Sequence, residues 1–148
     1  MRTVRDILNA KKASTVWSIG PKETVFEALR VMGEKQVGAL MVMEDAEVHG
    51  ILSERDYARK IMLRGKTSKE TAVEEIMTPL SEMYLVKPEN TVEDCMVLIT
   101  AKKIRHLPVF EGSAFVGLVS IGDVVKSIIA EQETLIEHLS NYIAGKYV

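Results

Sequence analysis

The segment Gly50-Ile-Leu-Ser-Glu-Arg-Asp56 reads as the end of a buried strand, a turn and the first turn of a helix. Ser53 suits the N-cap, where its side-chain oxygen can accept an orphan backbone N–H, and Glu54 and Asp56 put negative charge where the helix dipole is positive. A hydroxyl and a carboxylate three residues apart at such a turn can both face one small ligand. Alone, an Asp at a helix start is an ordinary dipole-friendly residue. Here the arrangement occurs twice. Gly117-Leu-Val-Ser-Ile-Gly-Asp123 repeats the Gly, Ser and Asp at an offset of 67 (117 − 50, 120 − 53 and 123 − 56).

Working outward, the flanking segments repeat as well. Thr24 and Glu27 form a candidate capping box opening a helix to Lys35, with Val25, Ala28, Leu29 and Met32 on one face. Thr91 and Asp94 repeat the cap, and Val92, Cys95, Met96 and Ile99 repeat the face. Val37 to Met43 and Val48 to Leu52 predict a strand pair around Glu44-Asp-Ala-Glu47, matched by Leu107 to Phe110 and Ala114 to Val119 around Glu111-Gly-Ser113. Identities at the same offset include Pro21/Pro88, Lys35/Lys102, Leu40/Leu107 and Val42/Val109. Thr15 to Ile19 and Glu82 to Val86 each predict a strand ahead of the helix, and Val4 to Leu8 and Ala72 to Met77 short helices. Tyr57 to Leu63 continue the second helix of the first repeat.

Internal duplication at this period is a strong architectural signal. It predicts an α/β (α+β) fold of two repeats in pseudo-two-fold symmetry, each a small mixed sheet with two helices, with clefts between them as ligand sites. The boundaries are 1–64 for the first repeat with its N-terminal segment, 65–71 for a linker, 72–130 for the second repeat and 131–148 for a C-terminal helical extension. The last helix, Asp123 to about Ile143, carries Ile128, Leu135, Leu139 and Tyr142 near one stripe, beside Ile129, Ile136 and Ile143. That stripe can pack on its own repeat or pair with a second chain, and symmetric pairing is common among homo-oligomers.

Composition narrows the function classes. Apolar residues make up 47% of the 148 positions, enough for a globular core, and eight Met with 5% aromatic residues suggest adaptable aliphatic packing. A net charge of −2 gives nucleic acid no electrostatic purchase. The single cysteine, Cys95, falls on a core face and excludes an intrachain disulfide, which fits a reducing compartment. No apolar run approaches the roughly 20 residues that cross a bilayer. With no signal-like N-terminus, a cytoplasmic location is expected. Three scattered His, His49 in an expected turn, His106, and His138 on the last helix, form no metal-ligand spacing and no nucleophile–base pair. The residues therefore predict no enzyme and no metal site. Trp17 could stack on a ring or fill the core.

The paired motifs, together with Val73-Glu-Glu-Ile-Met-Thr78 and Ile104-Arg-His-Leu-Pro-Val109, resemble a tandem pair of CBS (cystathionine β-synthase) domains, a Bateman module, over about residues 4–130. The chain is similar to stand-alone proteins that are little more than this pair. The resemblance implies a regulatory module that binds an adenosine-containing ligand (AMP, ADP, ATP, NAD or S-adenosylmethionine) between the repeats, and a homodimer forming a disk of four CBS units. Carried over by position, it assigns ribose to Asp56 and Asp123, with Ser53 and Ser120 beside them. Phosphate falls to Arg105 and His106, with Arg55 a further candidate. The adenine walls are Thr78, Met83 and Ile104 facing Asp56, and Val16, Val37 and Gly38 facing Asp123. In the first repeat Gly38 and Ala39 replace Arg105 and His106, and in the second Gly122 replaces Arg55, so the two sites are expected to differ in strength and in preferred ligand charge. An unidentified regulated protein is a candidate partner of such a sensor, and a ligand-free dimerisation adaptor is the alternative reading.

Overall fold

The structure is a computed structural model, and it describes residues 2–11 and 16–145. Thr15 of the expected first strand lies outside the described residues, as do the last three positions of the C-terminal extension. The chain forms two compact units: Ser14–Tyr84, here the Asp56 unit, and Met1–Ala13 with Leu85–Val148, the Asp123 unit. These are not the sequential repeats. Each repeat's opening segment packs in the unit formed by the rest of the other repeat.

In the Asp56 unit, β1 (Ser18–Ile19), β2 (Ala39–Glu44), β3 (Glu47–Ser53) and β4 (Thr78–Pro79) form one sheet in that order. β1 pairs parallel to β2, and the other pairs are antiparallel. Helix α2 (Val25–Lys35) covers it with Val25, Ala28 and Met32, against Leu40, Val42 and Leu52. Thr24 caps α2 by accepting the Glu27 N–H at 3.1 Å, but Glu27 turns its carboxylate to Arg30, so the expected reciprocal box is half made. After β3 come α3 (Glu54–Tyr57) and, in place of the expected α-helical continuation, a π-helical turn over Ala58–Met62 that buries Ile61.

In the Asp123 unit the antiparallel pair β5 (His106–Glu111) and β6 (Ala114–Ser120) packs on α5 (Val92–Lys102). Thr91 and Asp94 complete the capping box that α2 lacks. The expected strand from Glu82 to Val86 is a 3-10 turn at Leu80–Glu82 followed by a single bridge, Val86 to Val109. Too few of its backbone groups find an edge to make a ladder. Helix α6 (Ile121–Ile143) starts from Ser120 and buries Val124 and Ser127. Cys95 is buried as packing, and burial pushes its thiol up to about 11, which leaves it unreactive.

The exchanged segments are clamped alike. In the Asp123 unit, α1 (Val4–Lys11) is held by Val4 N–H to the Asn90 carbonyl at 2.8 Å and Arg5 N–H to Pro88 at 3.0 Å. In the Asp56 unit, α4 (Val73–Ile76) is held by Val73 N–H to Glu23 at 2.8 Å and Glu74 N–H to Pro21 at 3.0 Å. Each exchanged segment presses on a motif glycine, α1 itself on Gly117 and the residues just after α4 on Gly50. A Cβ at Gly117 would lie 2.8 Å from Leu8 Cδ2, and one at Gly50 would fall on the Thr78 carbonyl oxygen, with the Met77 sulfur at 3.0 Å.

A leucine methyl can rotate away, whereas a strand carbonyl cannot. Gly50→Ala should therefore cost about 1–3 kcal/mol in urea unfolding, and Gly117→Ala clearly less. Equal losses would contradict this packing.

Candidate functional site

Each motif serine ends a strand and starts a helix, and each motif aspartate folds back on it. In the Asp56 unit, Asp56 Oδ2 accepts the Ser53 backbone N–H at 3.0 Å and its hydroxyl at 3.1 Å, while the Asp56 N–H donates to Ser53 Oγ at 3.3 Å. This is a capping box with Asp in the usual Glu position. The other oxygen, Oδ1, meets the Thr78 hydroxyl at 3.5 Å and the Lys60 ammonium at 3.3 Å. Lys60 also donates to the Ile76 carbonyl at 2.9 Å. Four donors thus surround a carboxylate with about four acceptor positions.

In the Asp123 unit, Asp123 Oδ2 accepts the Ser120 N–H at 2.9 Å, and the Asp123 N–H donates to Ser120 Oγ at 3.2 Å. Lys11, from the end of α1, donates to the same Oδ2 at 2.9 Å and to the Leu118 carbonyl at 2.8 Å. The carboxylates are mostly buried, with side-chain exposures of 16% for Asp123 and 13% for Asp56. Burial pushes the Asp123 carboxyl up, but the Ser120 N–H and the Lys11 ammonium outweigh it and hold the carboxyl below its ordinary value. The same backbone bond anchors both helix starts to the residue just ahead of the neighbouring strand, β2 or β5: Glu54 N–H to Gly38 at 3.1 Å, and Ile121 N–H to Arg105 at 2.8 Å.

The Asp56 unit thus holds Ser53, Asp56 and Thr78 together, and also carries Arg55, Met83, Val16, Val37 and Gly38. The Asp123 unit holds Ser120 and Asp123 together and carries Ile104, Arg105 and His106. Thr78 reaches Asp56 because the segment that opens the second repeat in sequence packs with the first. Arg55 and Arg105 are exposed, and His106 is half-buried. Burial lowers the His106 pKa; Asp123 pulls it up, while Arg105 and Lys11 lower it further. At neutral pH His106 is therefore an uncharged hydrogen-bonding group, and Arg105 is the cation of that pair.

Two residues beside the carboxylates, Lys11 and Lys60, were not among the sequence candidates. Lys11 was within reach, for it stands 67 positions before Thr78 (78 − 11), at the offset relating the two motifs. His49, expected in a solvated turn, lies on β3 with its Nε2 buried and unbonded among the described residues. Trp17 is part-exposed, with the Lys35 ammonium 4.4 Å from its ring centre, a cation–π contact. Among the described residues no group of three or more His, Cys, Asp or Glu could hold a metal ion. No helix there is long and apolar enough to cross a membrane.

The family described as the CBS domain matches residues 4–63 and 73–130, one match for each repeat. The chain belongs to the CBS domain family. CBS domains are regulatory modules. This CBS pair is 38% identical over 152 residues to the Arabidopsis thaliana CBS domain-containing protein CBSX3, mitochondrial, spanning 98% of this chain and 73% of that one. A solved protein with CBS domains from Burkholderia ambifaria MC40-6 is 45% identical with a TM-score of 0.82, over 88% of this chain and 96% of that one. The structure of CBSX2 in complex with AMP shares the fold at 24% identity and a TM-score of 0.71, over 89% of this chain and 99% of that one.

Burial makes His106 a weaker base in the folded chain. Its folded pKa lies below the ordinary 6.5, so between the two values the unfolded chain binds more protons. Stability should fall as pH drops through about 6.5, and His106→Gln should flatten that part of the denaturation profile. An unchanged slope in the variant would contradict the burial of His106.

Proposed function

We propose that this CBS pair is a regulatory sensor of an adenosine-containing ligand (AMP, ADP, ATP, NAD or S-adenosylmethionine), whose ribose hydroxyls donate to Asp56 and Asp123. One observation carries this reading. The same carboxylate is fixed twice at a helix start by the same serine, largely out of water, in a chain of a regulatory family. A capped helix alone needs no buried carboxylate flanked by a lysine. Vicinal hydroxyls can each give such a carboxylate a charge-assisted bond worth about 1.5–3 kcal/mol. Arg105 and the uncharged His106 are the phosphate group's partners near Asp123. CBSX2, alike at the level of the fold, was solved with AMP.

The two sites are unequal on this account. Donors already surround both Asp56 oxygens, whereas the Ser120 and Lys11 bonds to Asp123 both fall on Oδ2. Asp123 is thus the stronger ribose acceptor. Its capping role also means that Asp123→Ala removes a cap, so Asp123→Asn, which keeps an acceptor for the Ser120 N–H, is the sounder probe. In isothermal titration, Asp123→Asn should weaken AMP about tenfold or more at the tighter site, and Asp56→Asn should leave that site nearly unchanged. Equal affinities for the wild type and Asp123→Asn would remove Asp123 from the site.

The adaptor reading is favoured by one feature, the end of α6. Leu135, Ile136, Leu139, Tyr142 and Ile143 are all more than half exposed there. Pairing of this stripe with a second copy covers it and gives a homodimer, with or without ligand. Leu139→Glu combined with Ile136→Glu should yield a monomer in analytical ultracentrifugation. A dimer of unchanged mass would put the contact elsewhere.

A further inference from the structure

Each motif carboxylate has one lysine and one hydroxyl-bearing residue at corresponding positions, supplied by different parts of the chain. In the Asp56 unit the ammonium is Lys60, one helical turn after Asp56, and the hydroxyl is Thr78 of the exchanged segment. In the Asp123 unit the roles trade places. Lys11 occupies the position corresponding to Thr78, and Ser127 the position corresponding to Lys60, each 67 residues away (78 − 11 and 127 − 60). Both lysines also donate to a main-chain carbonyl, Lys60 to Ile76 and Lys11 to Leu118. Ser127 lies one turn after Asp123 on α6, 6% exposed, and its hydroxyl has no partner among the described residues.

We propose that Lys11 and Lys60 select the charge of the ligand: each holds its carboxylate until an adenosyl ligand arrives, then passes to that ligand's phosphate. This rests on the adenosyl reading and adds to it a preference for phosphorylated ligands. Ribose hydroxyls and a lysine ammonium compete for the same carboxylate. An uncharged nucleoside displaces the ammonium, or crowds it, and offers nothing in return. A nucleotide brings an anion within the span of a lysine's flexible four-carbon stem, so that the ammonium exchanges one counter-ion for another. Asp56 shows the competition most plainly, since donors already crowd both of its oxygens. A lysine reaches each carboxylate from a non-corresponding position, so what the two sites share is the ammonium's charge and not one segment's packing.

The test is calorimetric titration with adenosine and with AMP in an Asp56→Asn background, which leaves the Asp123 site to be read. Lys11→Met should tighten adenosine and weaken AMP, so that the preference for AMP falls at least about tenfold, while Lys11→Arg keeps it. Lys60→Met in an Asp123→Asn background should repeat the result at the other site, and decides the matter should Lys11→Met fail to fold. Binding of both ligands with an unchanged AMP-to-adenosine ratio overturns the lysine role and leaves the adenosyl reading standing. Binding of neither ligand by the wild-type chain removes the adenosyl reading, and charge selection with it.

Discussion

The bond from a serine backbone N–H to the carboxylate three residues ahead, Ser53 to Asp56 and Ser120 to Asp123, is the interaction on which the rest depends. It starts the helix that follows each central hairpin, and it fixes the direction in which the carboxylate faces. Because the aspartate is short, its oxygen must sit close over the helix start, where backbone N–H groups and the helix dipole stabilise the anion. The remaining acceptor capacity is what a lysine, a hydroxyl or a ligand can use. Structural and binding roles are therefore joined in one side chain, and removing the carboxylate cannot test binding without also disturbing a cap.

The second constraint is the exchange of opening segments. α1 and α4 are clamped by equivalent backbone bonds, and α1 and the residues just after α4 each lie against a motif glycine where a side chain would collide. They differ in where they deliver the next residues. α4 is short and leads at once into β4, which places the Thr78 hydroxyl near Asp56. α1 continues as helix to Lys11 and sends an ammonium to Asp123 instead. Corresponding positions of the exchanged segments thus carry different residues, Thr78 a neutral neighbour for Asp56 and Lys11 a charged one for Asp123. Duplication set the two carboxylates alike, and the exchanged segments made their surroundings different.

Much of the fold was legible because its determinants are local. Thr24, Thr91, Ser53 and Ser120 announce their helices by spacing alone, and the apolar runs on either side of a polar turn announce both hairpins. Long-range pairing was less legible. Nothing local says that Val4 bonds to Asn90 or Val73 to Glu23, so the sequential repeats and the compact units divide the chain differently. The region before Val86 has strand-like residues, yet only Val86 finds a partner strand. For the site, the motif residues could be picked out by their duplication. Lys60 stands four residues after Asp56, a spacing that helical periodicity reveals although its turn is π-helical, whereas Lys11 lies in a segment whose place depends on the exchange. The repeat offset, applied to Thr78, would have pointed to Lys11.

The most direct measurement is a crystal structure of the chain grown with AMP. The account predicts both ribose hydroxyls within hydrogen-bonding distance of the Asp123 carboxylate, and the Lys11 ammonium moved from Asp123 towards the phosphate. AMP bound with its ribose away from both Asp56 and Asp123, and Lys11 still on Oδ2, would contradict it.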